Sequence, residues 1–423
     1  MYQTVRHLIG AGVSPRRLWW LRMDHPLLMQ VPLGDLCEHV LYESGSSQED
    51  KVYLFLDELT YADKWDLWLK TFYDERWPIR IVATSSSTAA LRDRGVESGI
   101  GRWEEQYLAP YLFSEFLDLF GIGVEIPVGE TFAETITNCI KERIDVFTLQ
   151  DQRRRFLLTG GVPELLQAAK GGNRDEDEAT LLLRSQRTLR NDAVERAVYK
   201  DIPQAFGIDS LMLLERLLYT LAGQIGGILS PQGICQDLGG MSQPTFSKYL
   251  SYLERTFLVF TLENYSGNET SVQKRGRKLY FVDAAVRNAA LQRGIAPLHD
   301  HKEMEILIEN MVAGHLHALS TESQVCLYYW RDRRKDEIDF VYDHPEQPLA
   351  FEISMSGSHH RRGITAFAAN FPRFDKRCYL VSPNSPSIAP ERDSDGIGSL
   401  PLDLFLLAAG AQSDAELKKR LIQ

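Results

Sequence analysis

The stretch VYLFLDELTY, residues 52–61, constrains this chain more than any other. An apolar run of strand length, Val52, Tyr53, Leu54, Phe55 and Leu56, stops on two adjacent carboxylates, Asp57 and Glu58. A continuous run of this kind reads as a central strand buried on both faces, and it delivers its acids to the edge of a sheet.

The flanking segments have the alternation of a parallel α/β sheet. Residues 2–11 read as a helix, and RRLWWLRMD as a strand ending in Asp24. A helix around LGDLCEHVL follows, then the opening strand, then a helix across KWDLWLKTFYDE. IRIVATSSS reads as a strand ending in hydroxyls, RWEEQYLAP as a short fourth strand, and SEFLDLFG as a helix. An Asp-Glu pair beside a strand of hydroxyls can hold Mg²⁺ through the Asp and orient a water with the Glu, which is the chemistry of nucleotide hydrolysis. Thr84 and Ser85 are placed to sense a γ-phosphate or its water, and Arg102 to stabilise developing charge.

The chain has 423 residues, 44% apolar and 25% charged, which suits several globular domains. Its net charge of −11 opposes indiscriminate nucleic-acid binding, so any DNA contact requires local basic patches. The five cysteines lack metal-like spacing and suit reduced thiols in a cytoplasm. No apolar run approaches membrane-spanning length.

These motifs, in this order, resemble those of bacterial and archaeal AAA+-like P-loop ATPases that carry a C-terminal domain of unknown function. The resemblance rests on Leu56-Asp57-Glu58, on Thr84 to Ser87, on Gly101-Arg102, and on Pro110 with Phe113, Glu115 and Phe116. It continues through LLTGGVPELL (157–166), VYKDIPQAFGI (198–208) and KLYFVDAAVRNAAL (278–291). It implies ATP and Mg²⁺ as cofactors, Asp57 as a Mg²⁺ ligand, Glu58 as the catalytic carboxylate, Thr84 or Ser85 as the sensor, and Arg102 as a phosphate-facing arginine. Members of the family open with a strand and a G-x-x-x-x-G-K-[ST] loop, whereas these 423 residues contain no Gly-Lys dipeptide. MYQTVRHLIGAGVSP resembles the helix that follows such a loop. The expectation is therefore a P-loop NTPase-like parallel sheet lacking its Walker A strand, with the missing strand and loop encoded within roughly 50 residues upstream of Met1.

Beyond this ATPase core (residues 1–125), the chain divides by pattern into a helical lid or linker (126–205), a winged helix-turn-helix (206–290) and an α/β nuclease-like domain (291–423). The acidic stretch at 171–179 reads as a solvated turn. In the helix-turn-helix, Phe246, Leu250 and Leu253 fall on one face, Ser242 is a suitable N-cap, and Gly239-Gly240 supply the turn. Thr245, Ser247, Lys248, Ser251 and Tyr252 form the opposite face, suited to DNA, and Lys274, Arg275, Arg277 and Lys278 cluster where a wing would meet phosphates. Docking of a protein partner is the alternative use of such a module.

DEIDFVYDHPEQPLAFEIS matches the acidic positions of a PD-(D/E)XK nuclease, filled by Glu309 (or Glu305), Asp339 and Glu352. These carboxylates could hold a divalent ion that activates water. Ser354 stands where the motif requires lysine, so the expected domain is an inactive nuclease scaffold. His359 and His360 read as an exposed basic turn. Two functions follow from the residues: an ATPase acting on or near DNA, or a non-enzymatic DNA- or protein-binding module with a vestigial ATPase core.

Overall fold

The computed structural model describes residues 1–85, 101–162, 178–267, 276–355, 361–384 and 392–422. They form two compact units, Met1–Tyr107 with Tyr199–Asp209, and Leu108–Val198 with Ser210–Gln423.

The first unit is a three-stranded parallel sheet in the order β1-β2-β3, formed by β1 (Leu18–Arg22), β2 (Val52–Asp57) and β3 (Ile79–Ala83). Helices α1 (Tyr2–Gly10), α2 (Leu33–Ser44) and α3 (Trp65–Asp74) accompany it. β2 is central because its apolar run can be buried on both faces: Val52, Leu54, Phe55 and Leu56 are all inaccessible. Val52, Leu54 and Leu56 pack with Met23, Leu33, Cys37, Val40, Trp65 and Phe72, while Phe55 stacks on Trp20. Gly34 on α2 has a packing reason, since a Cβ there would meet the ring of Trp68 at 2.3 Å. Residues 103–112 carry no regular structure, so the fourth strand expected in RWEEQYLAP is absent. Its apolar residues are interrupted by Glu104, Glu105 and Gln106, leaving no continuous face to bury.

The second unit begins with α4 (Phe113–Leu119), α5 (Phe132–Glu142), α6 (Gln150–Thr159), α7 (Glu178–Leu189) and α8 (Leu211–Ala222). A helix-turn-helix follows, α9 (Pro231–Asp237) and α10 (Gln243–Arg255). Ser230 and Ser242 cap these helices, and the turn uses left-handed Gly239 and Gly240. Phe246, Leu250 and Leu253 are buried, together with Tyr249, whose hydroxyl accepts from the Ser210 amide.

β4 (Val259–Asn264) and β5 (Lys278–Phe281) form the antiparallel hairpin expected of a wing, but they join a larger sheet. α11 (Ala284–Ala290), the long α12 (His301–Ser323), β6 (Leu327–Arg331), β7 (Glu337–Tyr342), β8 (Leu349–Ile353), α13 (Arg361–Asn370), β9 (Cys378–Ser382), β10 (Gly398–Pro401) and α14 (Leu402–Ile422) complete the unit. The seven strands run in the order β10-β9-β8-β7-β6-β4-β5. β4 pairs in parallel with β6 through Glu263 and Asn264, so no break in the sheet marks the boundary expected at residue 290. The hydrogen-bonding edge of β4 has two sides, and β6 satisfies the one that β5 leaves open.

Candidate functional sites

The parallel register of the first sheet aligns Arg22 with Asp57, and Leu56 with Ala83, so Asp57 and Thr84 share one carboxyl edge. The ladder runs one residue past β3, with the Thr84 amide donating to Leu56 and the Leu59 amide to the Thr84 carbonyl, both at 2.9 Å. The Thr84 hydroxyl then donates to Asp57 Oδ1 at 2.9 Å, which orients the carboxylate. Glu58 turns the chain out of the strand with φ 55°, a left-handed conformation that a side chain with a Cβ adopts at a cost of about 1–2 kcal/mol. Next along the edge, Ser85 Oγ lies 2.8 Å from Thr60 Oγ1, a partner the sequence reading missed because a lone threonine after Asp-Glu carries no signature. This oxygen-rich edge fits Mg²⁺, a hard cation that binds through one or two carboxylates and keeps several waters.

Arg102 does not join that edge. Its guanidinium forms a two-point ion pair with Asp74, Nε to Oδ1 at 2.9 Å and Nη2 to Oδ2 at 3.3 Å. Asp74 closes α3, which returns antiparallel to β2 and leads into the start of β3, so the pair sits at the amino edge of the sheet, opposite Asp57. Asp24, the acid ending the first strand pattern, is likewise taken by Arg22, at 2.9 Å.

In the second unit the structure chooses between the two helix acids and assembles a cluster around Glu309. Glu309 on α12 and Asp339 and Glu337 on β7 converge on one ammonium, that of Lys278, and Glu352 on β8 joins them through the Asp339 backbone. Lys278 is therefore not a wing residue facing phosphates: its side chain is 1% exposed. Its Nζ lies 3.3 Å from Asp339 Oδ1 and 3.7 Å from Glu309 Oε1, and is in contact with Glu337. Asp339 Oδ2 accepts from the Ile353 amide at 3.0 Å, Glu352 accepts from the Asp339 amide at 3.3 Å, and the Tyr280 hydroxyl donates to Glu309 at 2.7 Å. Ser354, at the position where the motif has lysine, is buried and keeps its amide on Val381.

Burial disfavours a charged Lys278, but Asp339, Glu309 and Glu337 outweigh it and hold the ammonium protonated. Burial, followed by the repulsion of Asp339, raises Glu309 to about 7 and pushes Glu352 well above the usual carboxylate range. Sequence reasoning missed Glu337, Tyr280 and the role of Lys278. The available signal was a lysine opening the wholly buried strand KLYF, where a solvated cation has no place.

On the helix-turn-helix, Ser247 and Lys248 are exposed, whereas Thr245, Ser251 and Tyr252 are half-buried. Thr245 is engaged by the Ser242 cap at 2.8 Å, and Lys248 lies over the Tyr252 ring. Arg277 pairs with Glu263 at 3.4 Å. Lys274, Arg275, Ser86, Ser87, His359 and His360 lie outside the described residues.

A parallel sheet whose central strand ends in Asp-Glu beside a hydroxyl strand is consistent with an AAA-like domain. Residues 1–117 match the family model described as AAA domain. Residues 150–295 and 304–396 match two domains of unknown function, DUF8612 and DUF4143. The chain thus has an AAA-type domain at its N-terminus and a DUF4143 domain in its C-terminal part. An uncharacterized protein of Methanocaldococcus jannaschii is 26% identical over 365 residues, covering 83% of this chain and 72% of its own length. An uncharacterized protein of Haemophilus influenzae is 22% identical over 313 residues, covering 73% and 70%. A second uncharacterized M. jannaschii protein is 22% identical over 353 residues, covering 82% and 71%. No solved structure matches. Among the described residues, no helix is long and apolar enough to cross a membrane.

Proposed function

We propose that this protein is an AAA-like ATPase whose hydrolytic edge is formed by Asp57, Glu58, Thr84 and Ser85, with a helix-turn-helix that contacts DNA. The observation carrying the reading is the 2.9 Å hydrogen bond from Thr84 to Asp57 across β2 and β3, next to the strained turn at Glu58. Mg²⁺ would be held by Asp57 and would neutralise charge on the transferred phosphoryl group. Glu58 accepts a proton from, or orients, the attacking water, and the Thr84 hydroxyl keeps the Asp57 carboxylate in one rotamer. Arg102 is left out of this reading, because its guanidinium pairs with Asp74 rather than with the Asp57 edge.

The DNA contact rests on the exposed Ser247 and Lys248 of α10, the second helix of the motif. Mg²⁺-dependent ATP turnover of the full-length gene product tests the hydrolytic reading. Glu58→Gln should lower turnover by about 10²-fold or more while ATP still binds. Equal turnover in the variant and the parent would exclude Glu58 as the catalytic carboxylate.

A further inference from the structure

The nuclease-like acids of the second unit imply a divalent ion, and the surroundings of Lys278 argue against one. Both Asp339 oxygens are already used, Oδ1 by the Lys278 ammonium and Oδ2 by the Ile353 amide. Glu309 Oε1 faces the same ammonium and the Tyr280 hydroxyl, and Glu337 is in contact with Lys278 and 3.5 Å from Arg331. Among the described residues, no group of three His, Cys, Asp or Glu side chains is arranged to hold a metal ion. A divalent ion placed among these oxygens would meet a buried cation at contact distance, with little water to screen the repulsion.

We propose that Lys278 is the resident cation of this centre: its ammonium takes the place of the divalent ion, leaving a charge-paired cluster that binds no metal. The lysine arrives from β5, remote in sequence from the Glu352 strand where the nuclease motif has its own. It passes over the Tyr329 ring of β6, with Nζ 5.6 Å from the centroid, to reach β7. A lysine located there satisfies the carboxylates electrostatically, yet cannot act as the Lewis acid that a nuclease requires.

The test counts Mn²⁺ bound to the full chain and measures the melting temperature with and without Mn²⁺, in the parent and in Asp339→Asn, Lys278→Met and the double variant. The parent and Asp339→Asn should bind equal amounts, because the cluster takes none. Lys278→Met should gain one Mn²⁺ per chain that the double variant lacks. Its melting temperature should rise by roughly 5 °C when Mn²⁺ exceeds the Kd a hundredfold. If Lys278→Met does not fold, recovery of folding by Mn²⁺ or by the added Asp339→Asn supports the proposal, and recovery by neither overturns it. Asp339-dependent Mn²⁺ binding by the parent, or a folded Lys278→Met that gains no Mn²⁺, also overturns it.

Discussion

The Lys278 ammonium lies 3.3 Å from Asp339 Oδ1, although β5 and β7 are separated in the sheet by β4 and β6. Three strand spacings in a flat sheet amount to about 14 Å, farther than a lysine side chain reaches. The contact therefore requires a sheet that curls, as the right-handed twist of strands favours. The same curl buries Tyr280 and Phe340 against each other, with ring centroids 5.5 Å apart and planes tilted by 45°.

Removing the cation while keeping the carboxylates should cost more than removing both. Lys278→Met should lower unfolding stability by about 3–5 kcal/mol, because buried acids lose their counterion. Adding Asp339→Asn should recover part of that loss. Urea unfolding of the four members of the cycle gives the coupling.

Thr84 separates stability from function. Thr84→Val keeps the shape and removes the hydroxyl from Asp57, so stability should change by about 0.5–1.5 kcal/mol. ATP turnover should fall by about tenfold or more, as the carboxylate loses its orientation. Turnover unchanged in Thr84→Val, measured on the full-length gene product, would remove the role of Thr84 in orienting Asp57.

His315 makes the second unit sensitive to acid. Its Nε2 accepts from the Phe113 amide at 3.0 Å while Nδ1 donates to Met311, so the neutral ring is the form that fits. Burial lowers its pKa from the ordinary 6.5 to about 4. The unfolded chain thus takes up a proton below pH 6.5 that the folded one refuses until about 4. The His315 contribution is complete above pH 6.5 and is lost as pH falls to 4, by about 3 kcal/mol. Glu309 has the opposite sign, since its raised pKa of about 7 stabilises below pH 4.5 and is lost as pH rises through 7. The difference between the parent and His315→Gln, followed by urea unfolding from pH 7 to 4, isolates the histidine.

Gly363 sets how closely α13 approaches β7. A Cβ there would lie 2.0 Å from the Glu337 carbonyl oxygen, a contact with backbone that no rotamer change relieves. Gly363→Ala should destabilise by about 1–3 kcal/mol as helix and strand move apart. Thermal unfolding checks it.

If α10 reads DNA, Lys248→Ala should weaken binding and flatten the dependence of log K on log salt by about one unit. Asp237→Ala, on the shorter α9, should not weaken it. Fluorescence anisotropy on a duplex over a salt series makes the comparison, and an unchanged slope in Lys248→Ala would place DNA contact elsewhere.

Local pattern was enough for the three strands of the first sheet, though it also suggested a fourth in RWEEQYLAP that does not form. The apolar run of β2, the helices around it and the hydroxyl end of β3 follow from periodicity and from where charge interrupts it, both properties of neighbouring residues. The acids Asp57, Asp339 and Glu352 were legible for the same reason, each lying on an element whose own pattern places it, whereas the choice of Glu309 over Glu305 was not. Arg102 and Lys278 were not legible, because a long cationic side chain takes its role from whichever carboxylate the fold brings near it. Asp74 is 28 positions from Arg102, and Asp339 is 61 positions from Lys278. The sequence by itself thus determined the strand of the Asp57-Glu58 pair, its two neighbours and the strand acids Asp339 and Glu352. Only the tertiary structure, through the return of α3 to the amino edge and the curl of the seven-stranded sheet, decided which cation each acid holds, because ion pairing depends on distance in space and on burial, and chain separation sets neither.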